Sequence, residues 1–364
     1  MSGRVIVVGS VNIDLVARVP HLPHPGETVT GGSYDRHHGG KGGNQAVAAA
    51  RLRRPTLFIG ALGDDTFEGE ARRALATERV DVSMVASLPG QATGVAMILV
   101  DATGENQIVV IPGANGAIES GYARDSLSRL GPLTGDVVLL CNEVPLHVVR
   151  EALTCARAAG ATTVLNPAPA TGIDRSIFAL ADIITPNRNE LSMLLNTEAR
   201  RTGRRTDASQ EIPSRARLLI EAGPEGPGVR KAVIVTLGAA GVLVLERMGP
   251  GLERAAATTR VAGGLVPAAV PPAAETTTVA AVATGKEEDG VRTWEVPAER
   301  VATVDSTGAG DAFNGALAAA IAEGRPLAEA VHRAVAAGAL ATTHVGAREG
   351  MPTAVELEEF LAAR

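Results

Sequence analysis

Short runs rich in β-branched residues recur along the chain. They include RVIVVGS near the start, PTLFIGALG, DVVLLCNE, TTVLNPAP, DIITPN and KAVIVTLG. Helix-forming stretches lie between many of them, and helices are predicted over Asn44–Leu52, Phe67–Arg79, Leu146–Ala159 and Ser214–Ala222. Strands alternating with helices predict a mostly parallel sheet covered on both faces. The unbroken apolar runs VVLL and VIVTL suit strands buried on both sides.

Two areas break this rhythm. Ile13 to Tyr34 is polar and extended, with Pro20, Pro23 and Pro25, and Ala92 to Ile111 reads as two strands joined at DATGEN. Neither offers a helix, so a small antiparallel sheet standing off the main one is expected. Met248 to Thr293 lacks aromatic residues and is rich in Ala, Thr and Val. Within it, Glu253–Asp289 reads as a low-complexity loop insertion. The basic patch ARRTGRR, Ala199–Arg205, reads as a solvated loop.

Composition narrows the picture. With one Trp, two Tyr and five Phe in 364 residues, the core must be built from Ala, Val, Leu and Ile. A formal charge of −6 argues against nucleic acid as the main partner. Cys141 and Cys155 have neither metal-ligand nor redox spacing, which suits two reduced core residues in a cytoplasmic protein. No apolar run is long enough to span a membrane, and the N-terminal one is too short for a secretory leader.

Two glycine-rich segments carry the chemistry. VATVDSTGAGDAFNGALAAAIAEG predicts a short strand ending at Val304, a flexible turn, and a helix from Ala312 onward. Gly308–Ala309–Gly310 then falls at a helix N-terminus, where free N–H groups attract anions. Asp311 is either a cap of that helix or a general base aimed at a hydroxyl. HHGGKGGNQAVAAA sets Lys41 among Gly39, Gly40, Gly42 and Gly43. It is either a loop with a solvated lysine or a backbone that a ligand approaches closely. The chain has no G-x-x-x-x-G-K-S/T segment, and no G-x-G-x-x-G follows the first strand, so neither usual nucleotide fingerprint is present.

GGKGGNQA (Gly39–Ala46) and DSTGAGDAFNGA (Asp305–Ala316) resemble the two signatures of the ribokinase, or PfkB, family of carbohydrate kinases. GSVNID, PGETVTG, IPGAN, LNPAPA and TPN follow the family's order as well. The resemblance implies one α/β/α three-layer kinase domain over residues 1–364, with a small β-sheet lid from about 13–34 and 92–111 that clasps a second copy. It implies ATP-dependent phosphorylation of D-ribose at O5. The alternatives are a kinase of the same fold acting on 2-deoxyribose, another sugar or a nucleoside, and a non-catalytic sugar-binding regulator.

Residue by residue, the resemblance makes Asp311 the base and Thr307, Gly308, Ala309 and Gly310 the anion hole. Asn12, Asp14, Gly40, Lys41, Asn44 and Glu143 would hold the sugar, the four glycines leaving room for its ring. Asn187, Glu190, Thr236, Gly238 and Gly310 would meet ATP, with Glu190 reaching Mg²⁺ through water; a plain helix cap at Asn187 fits the same residues. Asp305, Thr307, Ala341, Gly346 and Gly350 would surround K⁺. Two departures stand out: Gly350 replaces an expected serine ligand, and Arg188 replaces an acidic residue in TPNRNE.

Overall fold

The computed structural model describes residues 3–202, 211–221, 227–248 and 285–364. The chain opens with β1 (Val5–Val8), leaves for β2 (Asn12–Arg18) and β3 (Ser33–Gly39), and returns through α1 (Lys41–Arg51) to β4 (Thr56–Leu62). Helix α2 (Glu68–Thr77) leads to β5 (Val80–Ser87). A second excursion, β6 (Gly94–Val100) and β7 (Asn106–Ile111), precedes α3 (Tyr122–Arg129). The βα rhythm resumes with β8 (Val137–Cys141), α4 (Leu146–Ala158), β9 (Thr162–Asn166), α5 (Arg175–Phe178), β10 (Ile183–Ile184), α6 (Arg188–Thr202), α7 (Ile212–Ile220) and β11 (Ala232–Thr236). Strands β12 (Val242–Arg247), β13 (Lys286–Glu288) and β14 (Val291–Val296) finish one edge. Helices α8 (Ala309–Ala322), α9 (Leu327–Ala341) and α10 (Ala354–Ala362) follow.

The main sheet runs β13-β14-β12-β11-β10-β9-β8-β1-β4-β5. It is parallel from β11 to β5 and antiparallel at the β12–β14–β13 edge. Alternation along each strand assigns side chains to two helical layers. Val5 and Val7 of β1 face the core under α1, α8 and α9, while Ile6 and Val8 face the core under α3 and α4. Both faces are buried, so these strands read as unbroken apolar runs. Cys141 is buried as expected, but Cys155 is only partly so.

The lid sheet has the order β3-β2-β6-β7. Its outer pairs are antiparallel, but its central pair, β2 with β6, is parallel. That corrects the expectation of a purely antiparallel sheet. β2 and β6 are separated in sequence by a passage through the main domain, so no tight hairpin forces them to oppose.

Other expectations shift locally. Residues 301–304 form no strand; Val304 and Asp305 donate their N–H groups to the Thr342 carbonyl, which ties them to the end of α9. Of the expected 253–289 insertion, Lys286–Glu288 form edge strand β13 and most of the remainder lies outside the described residues. The first part of the basic patch, 199–202, continues α6 rather than forming a loop, and 203–205 lie outside the described residues.

Helices α1 and α8 pack closely because small residues line their contact. A β-carbon built on Gly315 would stand 2.5 Å from Ala48 Cβ and 2.6 Å from the Gln45 carbonyl. In an exposed helix Gly→Ala adds about 1 kcal/mol of stability. Here the sign reverses: Gly315→Ala is expected to cost about 1–3 kcal/mol by overpacking. A urea unfolding midpoint at or above wild type would show that the two helices part without cost.

Candidate active site

The site lies where the strand order reverses. From β1 the chain builds outward to β4 and β5, then restarts on the other side at β8. In open parallel sheets, ligands collect at the carboxyl ends of strands beside such a reversal. The ends of β1 and β8 deliver Ser10 and Glu143, and Ser10 Oγ donates to Glu143 Oε2 at 2.5 Å.

Helix α1 begins beside that pair. The helix starts at Lys41, three residues earlier than expected, after Gly40 turns the chain with φ 81°. Lys41 N donates to Glu143 Oε2 at 3.0 Å and Gly43 N to the Ser10 carbonyl at 2.8 Å. The free donors of this helix start are thus taken by the protein itself.

The glycines have an equally internal reason. A β-carbon on Gly39 would stand 2.1 Å from the Asp14 carboxylate, and one on Gly40 2.7 Å from Asn12 N. One on Gly42 would stand 2.7 Å from Ser10 N, and one on Gly43 2.5 Å from the Arg348 guanidinium. The space of each missing side chain is filled by the chain, which draws Asn12, Asp14 and Arg348 in around Lys41 and Asn44.

The start of α8 is built differently. Gly308 is its N-cap with φ 76°, packed so that a β-carbon would meet Ala347 at 2.8 Å, and no side chain caps the helix. Among the described residues, nothing outside its own stretch of helix lies within 4 Å of a β-carbon on Gly310. Uncapped N–H groups facing open space are what an anion requires.

Asp311 sits in this first turn and is buried. Asn44 Nδ2 donates to its Oδ2 at 3.0 Å and Gln45 Nε2 to its Oδ1 at 3.1 Å. Gln45 Nε2 also reaches Asn166 Oδ1 at 3.1 Å, tying α1, α8 and the end of β9 together. Burial raises the Asp311 pKa; the Lys41 charge and the two amide donors oppose the rise. Asp311 in turn raises the Lys41 pKa, with Glu143 and Glu190 adding to it.

At the foot of the lid, burial pushes the Asp14 carboxyl up to about 6 against the opposing charge of Arg348. Asn12 Oδ1 accepts from Asn115 Nδ2 at 2.9 Å, which fixes its amide.

Asn187, Glu190, Thr236 and Gly238 gather at the ends of β10 and β11. Asn187 N donates to Glu190 Oε2 at 2.8 Å and Glu190 N to Asn187 Oδ1 at 2.9 Å, so the helix-cap reading of this pair holds. Burial raises the Glu190 pKa, and the Lys41 charge is among the opposing effects. Thr236 bridges to Asn187, and Gly238, with φ 61°, has no atom of the described residues beyond its chain neighbours within 4 Å of its missing side chain.

Asp305 fastens the turn before α8. Its Oδ1 accepts from Thr307 N and Oγ1 at 2.9 and 2.7 Å, and its Oδ2 from Gly346 N at 2.9 Å. These bonds lower the Asp305 pKa although burial, the largest effect, works the other way. At Gly350 a β-carbon would stand 2.2 Å from the Ala341 carbonyl, so this backbone has no room for the expected serine. One carboxylate with main-chain carbonyls is a set of hard oxygen donors. Among the described residues no cluster of three or more His, Cys, Asp or Glu could hold a metal ion by itself.

The sequence reading missed Ser10, Gln45, Asn115, Asn166 and Arg348. Gln45 lies inside GGKGGNQA, Ser10 inside GSVNID, Asn115 inside IPGAN and Asn166 inside LNPAPA, so all four were within reach; Arg348 has no such local signal.

Residues 2–263 and 277–354 match the pfkB family carbohydrate kinase model. The chain is 33% identical to a ribokinase of Haemophilus influenzae, covering 99% of each, and 29% identical to a deoxyribokinase of Salmonella typhi, covering 98% of each. It is similar to an Arabidopsis thaliana ribokinase solved with ribose and ATP, at a TM-score of 0.76, 27% identity and 99% coverage of each chain. With its site assembled around the two glycine-started helices, the chain belongs to the pfkB family of carbohydrate kinases.

Proposed function

We propose that this kinase transfers the terminal phosphoryl group of ATP to O5 of D-ribose, giving D-ribose 5-phosphate and ADP. The observation that carries the reading is Asp311, buried under two amide donors in the first turn of an uncapped helix and paired electrostatically with Lys41. The ribokinase relatives support ribose as the acceptor.

Asn12, Asp14, Lys41 and Asn44 hold the sugar hydroxyls, with Glu143 beside them. Asp311 takes the proton from O5. The oxygen forms its bond to phosphorus as the bond to the β–γ bridging oxygen breaks, and ADP leaves with that electron pair. The N–H groups of Gly308 and Gly310 and the Lys41 ammonium stabilise the charge spread over the moving phosphoryl group. Asn187, Glu190, Thr236 and Gly238 seat the nucleotide. Glu190 would reach, through water, the Mg²⁺ that accompanies ATP, and that ion would neutralise phosphate charge. Asp305 with the carbonyls of Thr307, Ala341 and Gly346 would hold K⁺, which steadies the start of α8. Gly350 adds no side-chain ligand.

A 2-deoxy sugar would leave buried polar groups unpaired at the site, which favours ribose. In an ADP-coupled assay over a sugar panel, ribose is expected to give the highest kcat/KM, ahead of 2-deoxyribose. Asp311→Asn should lower kcat by about 10²–10⁴-fold, while calorimetry still detects ribose binding. Ribose binding without ADP release by the wild type would establish a regulator instead.

Asp14 must be ionised to accept two hydroxyls. Its raised pKa of about 6 means that it gains a proton, and loses this ability, as pH falls through that value. Arg348, His37, Glu143 and Asp311 are the charged or titratable groups acting on it. The kcat/KM for ribose is expected to drop roughly tenfold from pH 7 to pH 5. An acid limb confined below pH 5 would contradict this.

The protein works as a homodimer in the cytoplasm, joined through the lid. Its two cysteines are free, and among the described residues no helix is long and apolar enough to cross a membrane. The edge strand β7 exposes Ile108, Val109, Val110 and Ile111 in succession, between 43% and 60% open. A bare apolar edge of this kind is normally covered. Sedimentation should give a dimer for the wild type and a shift toward monomer for Val109→Asp, with a raised ribose KM. A monomeric wild type would refute the arrangement.

A further inference from the structure

Arg348 lies in the turn after α9, far from both glycine-rich segments in sequence, yet only 6% of it is exposed. Its Nε donates to Asn44 Oδ1 at 3.0 Å and its Nη2 to the Gly39 carbonyl at 2.9 Å. Its own backbone is held in turn: Arg51 Nη1 donates to the carbonyls of Arg348 and Met351 at 2.6 and 2.8 Å. The absence of a side chain at Gly43 is what admits the guanidinium.

A guanidinium can only donate hydrogen bonds and a carboxylate can only accept them. Asn44 stands between one of each. Its oxygen must face Arg348, so its NH₂ must face Asp311, as the 3.0 Å contact to Oδ2 requires. We propose that Arg348 is a positioning residue for phosphoryl transfer, locking the Asn44 amide so that it presents its N–H to the base Asp311. Arg348 touches neither reacting atom; it acts through Asn44. The same guanidinium acts on the Asp14 carboxylate, so it links the base to the sugar-binding foot of the lid.

The inference rests on the sugar-kinase reading, so its test is a double-mutant cycle scored on whichever sugar the wild type turns over best. Arg348→Met should lower kcat roughly 10- to 100-fold, the size expected of a hydrogen bond to a charged group. In the Asn44→Ala background the same change should cost no more than about threefold in kcat, because no amide is left to orient. Arg348→Lys keeps a cation beside Asp14 and should recover the sugar KM more than kcat. ATP binding, followed by calorimetry, reports folding; if the Met variant does not bind ATP, Arg348→Gln replaces it in the cycle. Equal losses in both backgrounds, or unchanged kcat in the single variant, overturn the proposal. A wild type that turns over no sugar overturns the functional reading beneath it.

Discussion

The structure depends most on the close approach of α1 and α8. Gly315 and Ala48 let the two helices touch, and the reactive residues lie one turn away on the same faces. Asp311 precedes Gly315 by four residues, and Asn44 precedes Ala48 by four, so both pairs share a helix face. The distance set by a methyl group and a missing side chain is therefore inherited by the 3.0 Å bond between Asn44 and Asp311. The scarcity of aromatic residues follows the same logic. A core of Ala, Val, Leu and Ile allows helices to sit near one another and near the sheet, and a large ring at this contact would separate base from amide.

The second constraint is electrostatic. Asp14, Glu143, Glu190 and Asp311 surround Lys41 and Arg348, so the cleft is acidic before any phosphate enters. Each carboxylate is tolerated for a different reason. Glu143 accepts from Ser10 and from the start of α1; Asp311 accepts from two amides; Glu190 accepts from Asn187 N, the residue that caps α6. Asp14 is balanced mainly by the charge of Arg348, against burial that pushes its carboxyl up to about 6. Burial raises the carboxyls of Asp14, Asp311 and Glu190 alike, and hydrogen bonds oppose the rise at Asp311 and Glu190.

The chain's own text carried the α/β alternation, the two lid excursions and the segments that assemble the site, because each is a local string with a periodic or compositional signature. The helix start at Lys41 was misplaced because glycines mark turns by propensity, whereas here Ser10 and Glu143 supply the acceptors that let helix begin among them. The parallel β2–β6 pair was missed because strand direction depends on the path between strands rather than on either strand's residues. Arg348 is the clearest case of information absent locally. It sits in ATTHVGAREG, which was read for its carbonyls, and its role arises only when Gly43, some 300 residues earlier, leaves a hole of the right size.

Two helices here begin among glycines, although the sequence reading expected an anion only at the start of α8. Their acceptors separate them. At α1 a carboxylate, Glu143, already occupies the first N–H, so a phosphate there would displace a bond and meet like charge. At α8 no side chain occupies the first turn and Gly310 opens outward. On the proposed reaction the phosphoryl group is therefore placed at α8, and the neutral sugar at α1, against Lys41 and Asn44. Asp311 lies in the first turn of α8 and is bonded across to α1, so it stands at the border between the two substrates. That placement gives the base one face toward the hydroxyl it deprotonates while the adjoining N–H groups receive the charge that transfer creates, and it follows from which helix start was left uncapped.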